Sequence, residues 1–104
     1  MTVVTVYAIF ADADEAMRIG RTVVEERLAA CINMLAPCTS LYWWDGAVNK
    51  ATEVPAIFKT RLASADLLIA RITELHSYHV PAIAVWPVER LPASFADWVE
   101  SELR

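Results

Sequence analysis

The chain has 104 residues, 57% hydrophobic and 21% charged, with a formal net charge of −4. That length makes one domain, residues 1–104, with a single two-layer core. Its lysines and arginines are scattered singly, which excludes the clustered positive surface of a nucleic-acid binder and a polybasic membrane anchor.

Thr2 to Phe10 is rich in β-branched and aromatic residues and predicts a buried strand. It has no basic start and no small-residue cleavage site, and it runs straight into Asp12, Asp14 and Glu15, so it does not read as a secretory signal. No stretch approaches the ~18 apolar residues of a membrane span. Asp12 or Asp14 offers an N-cap. Ala16, Met17, Gly20, Val23, Val24 and Leu28 fall at helical spacing and predict a first helix to about Arg27. A second strand follows through Cys31 to Leu35, is interrupted at Pro37 by a bulge or an edge position, and resumes from Thr39 to Trp44.

Asp45-Gly46 tolerates the positive φ of a tight hairpin turn, and the return strand is expected over roughly Thr52 to Arg61. Ser64 is placed to cap a second helix, with a stripe of Ala65, Leu68, Ile69, Ile72 and Leu75 that ends near His76. A loop from Ser77 to Pro81 leads to a strand over Ala82 to Val88. Pro92 precedes a last short helix from about Ser94 to Leu103. Trp86 and Trp98 are expected in core or helix packing.

The order is β-α-β-β-α-β with an extra C-terminal helix. It predicts an α+β, ferredoxin-like antiparallel sheet with the two long helices on one face. The central hairpin exceeds the usual strand length of about five or six residues, so its end projects. Trp43 and Trp44 are adjacent on it and point to opposite faces, one towards the subunit and one towards a partner. A chain this small and this apolar cannot bury all its apolar surface alone, which points to oligomerisation.

Cys31 and Cys38 are seven apart. On one continuous strand they lie on opposite faces and roughly 23 Å apart, too far for a disulfide. Free thiols without a secretory signal fit a reducing cytoplasm.

Glu53, Lys59, His76, Tyr78 and His79 form the polar constellation of the chain. Glu53 and Lys59 share a strand face but lie roughly 20 Å apart, so each needs another partner. His76 and His79 flank the loop before Pro81, and with Glu53 they are the candidate ligands for a divalent metal. Lys59, Tyr78 and Trp44 are candidates for the rest of the same cleft. The competing roles are structural: His76 capping a helix C-terminus, Tyr78 bonding a backbone carbonyl, and Glu53 and Lys59 as contacts between subunits. There is no phosphate-binding glycine loop, nucleophile elbow or catalytic carboxylate pair, so no enzyme is predicted.

Four segments resemble the CutA family of divalent-cation tolerance proteins: Glu26 to Asn33, Thr39 to Gly46, Glu53 to Thr60, and Leu75 to Pro81. They stand in the family's order and spacing. The resemblance implies a homotrimer of ferredoxin-like subunits whose hairpin arms pack together. It also implies an architecture like that of PII-type signalling proteins, and an association with tolerance to copper and other divalent cations. It names no reaction and no protein partner. The chain departs from the family's loop pattern at His79 and Ala82, where glutamates are usual. It departs again at Phe10, where some members carry a cysteine. The expectation is therefore a non-enzymatic protein of metal tolerance that requires no cofactor. It would bind copper or zinc weakly through His76, His79 and Glu53 between subunits. The alternative is a signalling module that holds a small molecule or anion in that cleft.

Overall fold

Val3–Phe10 form strand β1, whose alternate side chains are buried by different partners. Val4, Val6, Ala8 and Phe10 enter the main core, whereas Val3 joins a second cluster with Ala30 and Val99. Neighbouring residues of a strand face opposite ways, so this end of the sheet is covered on both sides. The computed structural model describes residues 2–104.

Helix α1 is Ala13–Glu25, and Asp12 Oδ1 accepts the Glu15 N–H at 2.8 Å as its N-cap. It ends before Arg27, whose φ of 61° is left-handed and cannot continue a helix. Strands β2 (Cys31–Met34), β3 (Cys38–Trp44) and β4 (Ala47–Arg61) follow. A single 3-10 turn, Leu62–Ser64, leads into α2, Ala65–Leu75. β5 is Ile83–Pro87 and α3 is Ala93–Glu102. All pairs are antiparallel, in the order β2-β4-β1-β5, with β3 pairing further along β4. This is the expected α+β arrangement.

Ile19 and Val23 of α1 and Leu68 and Ile72 of α2 pack with Phe10 and Phe58 in the main core. Each such side chain contributes about 1.5–3 kcal/mol by burial. Gly20 lets α1 lie close to β2, since a Cβ there would stand 2.4 Å from Ile32 Cδ1. Helix α3 contributes Val99 to the cluster that holds Val3. Arg61 bonds Glu100 and the carbonyl of Arg104, and Arg27 pairs with Glu102. These exposed pairs add little, about 0–1 kcal/mol each, but they fix the position of α3.

Four expectations need correction. The return strand starts at Ala47, not Thr52, because Asp45 and Gly46 have φ of 52° and 76°. That is a two-residue turn, after which pairing begins at once with Trp44 opposite Ala47. Ser64 does not cap α2; its hydroxyl accepts from Arg61 Nε instead. Cys31 and Cys38 face the same way. Cys31 lies opposite Lys59 and Cys38 opposite Glu53, so seven steps on this side answer six on β4. The extra residue, between Met34 and Cys38, is a bulge that inverts the alternation. Finally, Trp43 and Trp44 are both exposed, and Trp86 and Trp98 are only half-covered, each stacked on one aromatic neighbour.

The molecule is 45 Å long and 25 Å wide. Its long axis reflects the arm made by β3 and the first half of β4. Residues 41–48 are exposed throughout, with Leu41 at 70% and Trp43 at 75%.

Candidate functional site

Where the arm leaves the sheet, it faces the loop between α2 and β5. The bulge before Cys38 puts Cys38, Ser40, Tyr42 and Trp44 on the face shared by Glu53, since directly opposed residues share a face. The loop residues Tyr78, His79 and Val80 close the other side, and Tyr7 and Ile9 of β1 form the floor. The result is an open cleft of about 870 Å³.

Glu53 is the charged residue at the base of the arm, only 7% exposed. Its Oε2 accepts the Tyr78 hydroxyl at 2.6 Å. Among the described residues it has no cationic partner and no donor to Oε1. Burial, and then the carboxylate beside it, push the Tyr78 hydroxyl well above the ordinary phenol range. The tyrosine therefore stays protonated and donates. Since no fully buried side-chain oxygen among the described residues lacks a partner, Oε1 is not sealed off but open to the cleft.

His76 sits behind the cleft, not in it. It ends α2, and its own N–H caps back to Ile72. Its ring is buried between Phe10, stacked at 5.2 Å, and Tyr78, tilted at 4.8 Å. Nδ1 accepts the Tyr78 N–H at 3.0 Å, which places the proton on Nε2, 2.7 Å from the Ile9 carbonyl oxygen. Both ring nitrogens are thus committed inside the chain, and no lone pair is left for a metal. The Phe10 ring lies against the imidazole, so no thiol stands there.

The loop is held from below by Glu15. Its Oε1 accepts the Ala11 N–H and its Oε2 the Ser77 N–H, both at 3.0 Å. Burial pushes this carboxyl up, but the hydrogen bonds from Ser77 and Ala11 outweigh it and take it below the usual range. Sequence reasoning missed Glu15. The available signal was a glutamate three residues after an N-cap aspartate, the spacing of a capping box.

The structure therefore divides the expected constellation. Glu53, Tyr78, His79 and Trp44 line the cleft. Lys59 does not: it lies further along the same face of β4, opposite Thr5 and Cys31, and makes no ion pair among the described residues. Tyr78 bonds a carboxylate where a carbonyl was expected. His76, His79 and Glu53 do not converge, and among the described residues no three His, Cys, Asp or Glu side chains gather as metal ligands. Cys31 adds no ligand there, because it lies opposite Lys59 and outside the cleft; burial also pushes its thiol up. A single chain thus offers a divalent ion one carboxylate, one exposed imidazole and the Cys38 thiol opposite Glu53, and among the described residues these do not gather as a closed site.

Residues 4–102 match the family model described as CutA1 divalent ion tolerance protein. The divalent-cation tolerance protein CutA of Pyrococcus horikoshii is 38% identical over 101 residues, which are 97% of this chain and 98% of that protein. The corresponding protein of Archaeoglobus fulgidus is 36% identical over 91% of this chain and 92% of its own length. The crystal structure of CutA1 from Oryza sativa superposes with a TM-score of 0.96 at 28% identity, over 100% of this chain and 95% of that one. The A. fulgidus structure, described as a periplasmic divalent cation tolerance protein, gives 0.95 at 33% identity, over 98% and 99%.

Proposed function

The chain belongs to the CutA1 divalent ion tolerance protein family, and from that premise we propose that it serves the response to divalent metal cations as a homotrimer, without catalysing a reaction. The observation that carries this reading is Glu53: a buried carboxylate at the foot of an exposed apolar arm, with no cation paired to it among the described residues. The arm supports assembly, because Leu41, Trp43, Trp44 and Val48 lie exposed side by side on it, and contiguous exposed apolar patches mark interfaces. Assembly brings a neighbour's groups to the cleft, and copper or zinc then finds Glu53 and His79 together with ligands from the next subunit. Binding there is weak and depends on the oligomer. Two free cysteines favour a reducing, cytoplasmic setting.

The test is sedimentation equilibrium combined with calorimetric titration of Cu²⁺ and Zn²⁺. The expected result is a trimer whose metal affinity falls in both Glu53→Gln and His79→Ala. A monomer at micromolar concentration, or an affinity unchanged in both variants, overturns the reading.

One observation favours a second reading, a PII-like module that binds a small molecule. At about 870 Å³ the cleft is far larger than a metal ion needs, and much of its wall is aromatic.

A further inference from the structure

Three features of the cleft point to one ligand chemistry. Glu53 is more than nine-tenths buried, lines the cleft, and leaves Oε1 without a donor from the described residues. The walls around it carry the rings of Tyr7, Tyr42, Trp44 and Tyr78. Among the described residues His79 is the only ionisable nitrogen on the lining, and Cys38 adds a thiol. Aromatic rings give a metal ion no lone pair, but their faces attract an organic cation, and most strongly where water is excluded. A carboxylate at the base of an open, aromatic-lined cleft is complementary to an ammonium group. The N–H donors complete Oε1 and the alkyl part covers the rings.

We propose that the cleft binds an organic cation, a small molecule carrying a primary ammonium group, with Glu53 as counter-ion and Trp44, Tyr42 and Tyr7 as its walls. This rests on the reading of the cleft as a small-molecule site and supplies the chemical class of its ligand. The Tyr78 hydroxyl holds Oε2, which leaves Oε1 without a donor from the described residues. A divalent metal is the poorer fit within the chain, since Glu53, His79 and Cys38 line the cleft but do not gather as metal ligands among the described residues. A lysine from a second copy of the chain has the same chemistry, and the experiment separates it from a free ligand.

The probe is n-butylammonium chloride, titrated into the ¹⁵N-labelled full chain in its native oligomeric state at constant ionic strength, with n-butanol as the neutral control. Butylammonium is expected to shift the amides of Ser77 to Val80 and the Trp44 indole in a saturable way, and n-butanol is not. Glu53→Gln should weaken binding about tenfold or more, and Trp44→Leu several-fold. If n-butanol shifts the same signals with the same midpoint, the cleft is a ligand site but not one for cations, and this proposal alone fails. If neither compound moves those signals, the cleft is closed by a neighbouring chain, and the small-molecule reading falls with it. Should Glu53→Gln fail to fold, the exposed Trp44 carries the test, and unchanged affinity in Trp44→Leu overturns the assignment.

Discussion

The Tyr78 hydroxyl donates to Glu53 Oε2 at 2.6 Å, and this one bond ties the loop after α2 to the base of the projecting arm. The two residues are 25 apart in sequence, one on β4 and the other in the loop that follows α2. A bond from a neutral donor to a buried carboxylate is stronger than one between neutral groups. Tyr78→Phe keeps the ring packing against His76 but removes the donor. It should cost about 1.5–3 kcal/mol in urea denaturation. An unchanged midpoint would mean that water or a neighbouring chain already serves Glu53.

Glu15 should govern the acid limb of stability. Its folded pKa lies below that of an unfolded glutamate. Its contribution is therefore fully present above the ordinary carboxyl range near ~4.3 and is lost as the pH falls through the folded value. Glu15→Gln cannot titrate, so its stability should vary less with pH below about 5 than that of the parent. Parallel stability–pH curves for the two proteins would remove Glu15 from that role.

Gly20 permits a test of how tightly α1 sits on β2. A methyl group there meets the mobile end of Ile32, with Cγ2 also at 3.3 Å. Ile32 can turn away, and the gain in helix propensity offsets part of the overlap. Gly20→Ala should therefore stay within about 1 kcal/mol of the parent, whereas Gly20→Val should lose about 2–3 kcal/mol. Thermal melts of both variants decide this, and equal losses would show that the β2 backbone, not Ile32, sets the spacing.

Trp43 points away from the cleft and is 75% exposed. It should matter for assembly and little for the subunit fold. Trp43→Lys is expected to shift the oligomer towards smaller species by sedimentation, with far-ultraviolet circular dichroism unchanged. Retention of the full oligomer would place the contact on another part of the arm.

The element order, both long helices, the tight turn at Asp45-Gly46 and the projecting arm were legible in the sequence, because each rests on local chemistry: an N-cap, a periodicity, a residue pair that tolerates positive φ. Resemblance in four segments was enough to point to the family. The candidate site was legible only in part. Glu53, Tyr78, His79 and Trp44 do share one cleft, but Lys59 and His76 lie outside it.

Two physical facts decided the difference, and neither is local. A single extra residue between β2 and β3 inverts every side chain beyond it, so the faces of the arm depend on the pairing register, which only the partner strand β4 defines. An imidazole that looks free in sequence is used up when folding brings the Ile9 carbonyl oxygen 67 residues away to Nε2 and the loop's own Tyr78 N–H to Nδ1. The sequence by itself determined which elements form and in what order, since those follow from contacts between near neighbours. Only the tertiary structure decided which polar groups are used up inside the chain and which stay open to the cleft, because that depends on every donor and acceptor that packing brings within reach.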